Sequence, residues 1–253
     1  MDTLGVSRRE FQRQSMGLLL AGSLLEWLGS EQLFAGEVQP LVAKWLTDVN
    51  QLGLDLKGRK LEQLAWQQKM GELLGKVALP DLLAAIDFEK LATGTKFADR
   101  GERSLRFTFP QVEGVPMQFC YGKQIFALKK DRSVVPHGHN NMATAFLILK
   151  GDLRGRHYDR VMDEPGYMQI RPTIDRKFTA GEVSTVSDYK DNVHWFQAAS
   201  EQAFIFNIHL LDVNPGTKLQ TGRVYVDPEG EKLSGGLVRA RLINYSEANK
   251  LYG

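Results

Sequence analysis

Five histidines occur in the chain, all after residue 136. Three of them have a spacing that could hold a metal ion: His137 and His139 in Pro136-His137-Gly138-His139, and His194 in Asn192-Val193-His194-Trp195, 55 residues further on. Side chains two apart on a strand point to the same face. His137 and His139 can therefore reach one point in space, while Gly138 faces away. A third imidazole from a distant strand would complete a three-histidine site with open coordination positions. Three imidazoles accept iron, zinc, nickel or copper, so the residues alone leave the metal open. The other two histidines differ in setting. His157 sits in the charged run Arg154-Gly155-Arg156-His157-Tyr158-Asp159-Arg160 and reads as a surface residue. His209 sits in an apolar run and shares its face with Asn207, which suits a hydrogen-bonding role beside a metal.

The elements that would position these residues are strands. From Leu105 onward the apolar pattern has period two or falls in short runs, broken by Gly151-Asp152, Asp163-Glu164-Pro165-Gly166, Pro215-Gly216 and Asp227-Pro228-Glu229-Gly230. The expected strands are 105–109, 116–121, 124–129, 133–139, 144–150, 153–161, 167–171, 182–186, 192–198, 203–211 and 223–226. Short strands at roughly 8–12-residue spacing argue for an antiparallel sandwich or barrel. On 203–211 the odd positions Ala203, Ile205, Asn207, His209 and Leu211 share one face, small and polar enough to line a cavity.

Before this region the period is helical. Leu41, Val42, Trp45, Leu46 and Val49 predict a helix over 38–54, a second runs near 60–77, and Pro80 opens a short third. The expected order is a segment 1–35, a helical lead-in over 36–100 that packs on the barrel, and a mainly β barrel over 101–253.

Composition bounds the function. With 253 residues and 43% hydrophobic, the chain can bury a sizeable core. A net charge of +2 gives no argument for nucleic acid or an anionic membrane. Cys120 is the only cysteine, so no intrachain disulfide forms, and it reads as a small buried hydrophobe.

Residues 7–13 read Ser-Arg-Arg-Glu-Phe-Gln-Arg, and the apolar run from Ser15 to Leu25 follows. Eleven helical residues span about 16 Å, short of a bilayer core of roughly 30 Å. The segment resembles a twin-arginine export signal through Ser7, Arg8, Arg9 and Phe11, with cleavage expected near Ala35. The resemblance implies a periplasmic or otherwise extracytoplasmic protein that meets the membrane only during export; the alternative reading is an ordinary amphipathic first helix in a cytoplasmic protein.

The His137-x-His139 pair, the apolar strand after it and Gly151 resemble the first cupin motif, with Thr144 in the position of its glutamate. His194 resembles the histidine of the second motif. That family's fold is a small antiparallel jelly-roll barrel with a metal inside. Three neutral imidazoles without the carboxylate leave a divalent ion its full charge and favour an anionic ligand such as a thiolate. The spacing is also similar to thiol dioxygenases of the cysteine dioxygenase type, cupins with three histidines and no glutamate. Their Ser-x-His-x-Tyr strand is matched here by Asn207-Ile208-His209-Leu210-Leu211 before Pro215. This resemblance implies Fe(II), with Zn, Mn or Ni as alternatives, and a small thiol and dioxygen as substrates giving a sulfinate. His209 and Asn207 then stand as catalytic residues. Thr144, Lys123 and Tyr121 stand as substrate-binding residues, Lys123 replacing the family's carboxylate-binding arginine. The family tyrosine is Leu211 here, and Tyr121 or Tyr158 could supply the lost phenol. A Zn or Mn lyase or isomerase, or a non-catalytic ligand-binding barrel, is the alternative reading.

Overall fold

The computed structural model describes residues 41–109 and 115–253; the expected export signal over 1–35 lies outside the described residues. Helix α1 covers 41–57, followed by α2 (Gln63–Gly75), α3 (Leu79–Ala85) and α4 (Phe88–Thr93). The strands are β1 (Arg103–Leu105), β2 (Gly122–Lys129), β3 (Ser133–Asn140), β4 (Met142–Lys150), β5 (Leu153–Glu164) and β6 (Tyr167–Phe178). They continue with β7 (Val183–Val186), β8 (Val193–Ala198), β9 (Gln202–Leu211), β10 (Gly222–Lys232) and β11 (Val238–Ile243), and α5 (Tyr245–Tyr252) ends the chain. All strand pairs are antiparallel. Five strands form a sheet in the order β1-β2-β9-β4-β7, and six close on themselves in the order β10-β11-β6-β5-β8-β3. The fold is thus mainly β, a jelly-roll barrel with its helical segment at the N-terminal side. No helix among the described residues is long and apolar enough to cross a membrane.

The central strands β4 and β9 read as almost unbroken apolar runs because both their faces are covered. Ala143, Ala145, Leu147, Phe204, Phe206 and Ile208 meet the helices, in one core with Trp45, Leu46, Trp66 and Met70. Phe146, Ile148, Ala203 and Ile205 point the other way, into a second core with Val134, Phe178 and Phe196. The parity read from the sequence for 203–211 therefore holds: odd positions face the barrel interior. The helices act as a cover for the sheet's outer face, and Gln63 and Gln67 of α2 tie it down by bonding Asp188 and the Thr185 carbonyl.

Several boundaries moved. Residues 116–121 form bends rather than a strand, and the strand expected over 105–109 sits at Arg103–Leu105 instead. Pro172 does not end β6. A register shift between His157 and Tyr158 absorbs it, as a bulge does for a residue that cannot donate to the ladder. Likewise Asp227-Pro228-Glu229-Gly230 is an irregularity inside β10. A Cβ at Gly230 would collide with the Arg239 carbonyl, so only glycine fits this close approach. Strand β11 and helix α5 had no expected counterpart. Ala240 is the one fully buried residue of β11, which leaves little apolar signal. Asn244 caps α5 by accepting from the Glu247 N–H, the Asn-x-x-Glu signature of a helix start.

Trp66 is fully buried between α2 and the sheet. Trp66→Ala is expected to cost about 3–5 kcal/mol of stability, read as a lowered midpoint in urea unfolding of the whole chain in a single transition.

Candidate metal centre

Strands β3 and β8 are neighbours in the closed ring, and His137 lies directly opposite His194 in their ladder. His139 follows two residues on, on the same face. The three rings meet inside the barrel with centroid separations of 4.2 Å for His137–His194, 4.9 Å for His139–His194 and 5.1 Å for His137–His139. One nitrogen from each lies within 4.8 Å of the other two, and all three side chains are buried.

Hydrogen bonding fixes which nitrogen faces inward. His137 Nδ1 is 2.8 Å from the Val135 carbonyl and His194 Nδ1 is 3.2 Å from the Asn192 carbonyl. A carbonyl only accepts, so each Nδ1 carries the hydrogen and each Nε2 keeps a lone pair. Those two Nε2 atoms are buried without any partner. Such orphaned acceptors cost about 1–3 kcal/mol each unless something binds them. Metal-ligating histidines characteristically give their second N–H to a carbonyl or similar acceptor. His139 has the Thr144 hydroxyl 3.3 Å from its Nδ1. Burial first, then neighbouring positive groups, drives the pKa of His137 and His194 well below the usual histidine value and that of His139 down to about 3. The imidazoles are neutral at physiological pH and competent as ligands. The residues present therefore fit a bound metal.

Asn192 holds the frame. Its Oδ1 accepts from the His139 N–H, and its Nδ2 donates to the carbonyls of His139 and Ser187. Gly138 is required here, because a Cβ would come within 2.7 Å of Asn192 Oδ1.

The histidines form one wall of a cavity of about 420 Å³. Its other walls come from Thr144 and Phe146 on β4, Asn207, His209 and Leu211 on β9, Gln124 on β2, and Arg223 on β10. Asn207 Oδ1 lies 3.2 Å from His209 Nδ1 and accepts from Gln124 Nε2 at 3.4 Å. An oxygen already serving as acceptor takes the Nδ1 hydrogen, so His209 presents Nε2 as a lone pair. A Cβ on Gly122 would collide with the His209 ring, so the glycine opposite it on β2 is what allows the ring its place.

The structure brings together His137, His139, His194, Thr144, Asn207 and His209. It does not bring Lys123 or Tyr121. Lys123 Nζ lies over the rings of Phe107, Phe109 and Phe119, and Tyr121 is stacked on Phe119 in the core under the helices. Parity is the reason: Gln124 pairs with Asn207 and Gly122 with His209, so even residues of β2 face the cavity and odd ones face away. The cation in the cavity is Arg223, paired with His139 across β10 and β3, and sequence reasoning gave it no role. Thr144 acts on His139 through its hydroxyl. His157 was expected at the surface and is buried, in register opposite His194 and 3.2 Å from the Ser184 hydroxyl. Even charged strands carry one inward face. Cys120 is half-buried against the Asn50 carbonyl, and burial pushes its thiol pKa up.

No protein-family model and no curated protein matches the chain. Solved structures overlap it in part. Procruciferin, an 11S globulin from Brassica napus, aligns over 37% of this chain and 21% of its own with 12% identity and a TM-score of 0.31. The chain thus spans about a fifth of that relative's length. An uncharacterised Klebsiella pneumoniae protein with a double-stranded β-helix domain aligns over 53% of this chain and 85% of its own with 10% identity and a TM-score of 0.34. A cupin superfamily protein from Desulfitobacterium hafniense aligns over 48% and 88% with 16% identity and a TM-score of 0.30. Overlap at this level carries no argument about activity; the architecture stands on the strand order and the site on its own geometry.

The buried histidines make stability depend on pH. Burial, with Arg176 second, lowers the His157 pKa to about 3, and His139 shares that value. Below the unfolded value near 6.5 the unfolded chain takes up protons that the folded chain refuses, so stability falls as pH falls. Urea unfolding of metal-free protein between about pH 7 and pH 5 is expected to lose up to about 1.4 kcal/mol per unit for each such histidine. A flat profile over that range would contradict the burial of neutral rings.

Proposed function

We propose that the protein is a metal-dependent oxygenase of the cupin type that converts a small thiol carrying a carboxylate to its sulfinate, RS⁻ + O₂ → RSO₂⁻. The observation that supports this best is the ligand set: three buried imidazoles, two with unpartnered inward nitrogens, and no carboxylate among the ligands, beside a cavity that contains an arginine. Held by His137, His139 and His194, Fe(II) would supply the one-electron chemistry with dioxygen that a closed-shell thiolate lacks. Three neutral ligands would leave the charge of a divalent ion uncompensated, a setting that favours an anionic substrate.

The remaining steps fall to the chain itself. Arg223 takes the substrate carboxylate, a match its planar donor fork favours. His209, held by Asn207, which Gln124 fixes in turn, accepts the thiol proton at its free Nε2. Thr144 keeps the His139 ring in its orientation. Phe146, buried against His194, gives the cavity an apolar wall beside the ligands, and the exposed Leu211 lies at its outer side. Leu211 stands where a phenol would otherwise meet His209, so proton handling rests on His209 alone. A second reading keeps the same ligands with Zn or Mn acting as Lewis acid in a lyase or isomerase, and the free His209 nitrogen suits it as a base.

Oxygen uptake with a panel of small thiols separates the two. Stoichiometric formation of sulfinate is expected, with His209→Ala lowering kcat by about 10²–10⁴-fold and Arg223→Met raising KM with metal content unchanged. Thiols consumed without oxygen would favour the lyase. We further propose export on the Ser7-Arg8-Arg9 segment; a double Arg8→Lys, Arg9→Lys change is expected to hold the protein in the cytoplasm on cell fractionation.

A further inference from the structure

Helix α2 buries Gln63 and Gln67 together with Trp66, Met70 and Leu74. A helix that served only to cover the sheet would do so with apolar side chains, because a buried amide costs free energy unless its polar atoms find partners. Both glutamines find theirs in the connection between β7 and β8. Gln63 grips Asp188 twice, accepting from its backbone N–H at 2.9 Å and donating to its carboxylate at 3.0 Å. Gln67 accepts from the Ser187 hydroxyl at 2.6 Å and donates to the Thr185 carbonyl at 3.0 Å. The Ser187 carbonyl in turn accepts from Asn192 Nδ2 at 2.9 Å. Asn192 reaches two ligands: its side chain exchanges hydrogen bonds with the backbone of His139, and its own carbonyl takes the Nδ1 hydrogen of His194. Gln67, Ser187 and Asn192 are all buried, so this chain of bonds runs through the protein interior.

The connection needs a fixed end. Tyr189 and Lys190 at its tip are exposed, and Asp191 adopts a left-handed backbone (φ 54°) immediately before Asn192. Asn192 is thus anchored on a turn that projects into solvent, and α2 holds that turn from the inside. A buried network whose members are all satisfied transmits orientation as well as stability. We propose that Gln67 is a positioning residue of the metal centre: through Ser187 and Asn192 it sets the placement of the His139 and His194 rings, so that the helical segment forms part of the site and tunes its affinity for a metal. This rests on the three-imidazole centre described above. Partners behind a ligand typically change metal affinity by about 10–100-fold, and Gln67, further back along the chain of bonds, is expected at the lower end of that range.

Titration of the full chain with Co(II), followed by the ion's ligand-field absorption and run beside urea unfolding of the metal-free protein, separates positioning from support. Gln67→Leu keeps the apolar contact of α2 and cuts the chain of bonds at its start. It is expected to weaken Co(II) binding about tenfold and to shift the absorption bands. Ser187→Ala cuts the next bond, leaves Gln67 on the Thr185 carbonyl, and is expected to have the same effect on the metal. Met70→Ala, three residues along α2 in the same core, is expected to lower the unfolding midpoint more than either with Co(II) affinity and spectrum unchanged. Affinity that follows the midpoint across the three variants, or unchanged binding in both Gln67→Leu and Ser187→Ala, would overturn this inference and leave the metal centre standing. An unaltered chain that binds no Co(II) would remove the centre itself, and the role of Gln67 with it.

Discussion

Imidazole lone pairs crowded together in a dry interior set the terms for the whole molecule. Burial makes protonation of His137, His139 and His194 unfavourable, and for His137 and His194 the neighbouring histidines make it more so. Their outer nitrogens are committed to carbonyls or to Thr144, and the inner Nε2 atoms of His137 and His194 have no partner among the described residues. A cation at the centre would satisfy all three together. The unpaired nitrogens are tolerable only if the surrounding fold is rigid enough to hold them apart from water.

The jelly roll provides that rigidity by covering one sheet on both sides. Strands β4 and β9 have the helices on one face and the barrel interior on the other, so a single sheet positions Thr144, Asn207 and His209 while burying Trp66 and Phe206 behind them. The ligands themselves come from the opposite wall, on β3 and β8, where the Asn192 amide ties the two strands together. The electrostatics of the cavity follow from this division. Neutral rings gather on one side, and the Arg223–Glu102 pair closes the polar end.

Much of this was legible in the sequence, and the rest was not for physical reasons. Two-residue parity placed His137 with His139 and Asn207 with His209 correctly, because alternation is a property of the backbone. Parity also could have excluded Lys123 and Tyr121, had the pairing of β2 with β9 been known; register between distant strands leaves no local mark. Arg223 was invisible for the same reason. Its significance arises only when β10 falls beside β3, and an arginine on a strand otherwise reads as solvated. His157 was misplaced because its neighbours Arg156 and Tyr158 suggested a surface, although they lie on the opposite face. Strand β11 carries too little apolar signal to announce itself, whereas the cap of α5 was readable in Asn244 and Glu247.

Metal analysis of protein purified without added metal, on the unaltered chain and on His137→Ala, His139→Ala and His194→Ala in turn, tests the central claim most directly. The three-imidazole centre predicts close to one transition-metal ion per chain, lost in each of the three variants and kept in His209→Ala. A metal-free preparation that also takes up none of Fe(II), Zn, Mn or Ni on addition, or a variant of any of the three ligands that retains its metal in full, would contradict it.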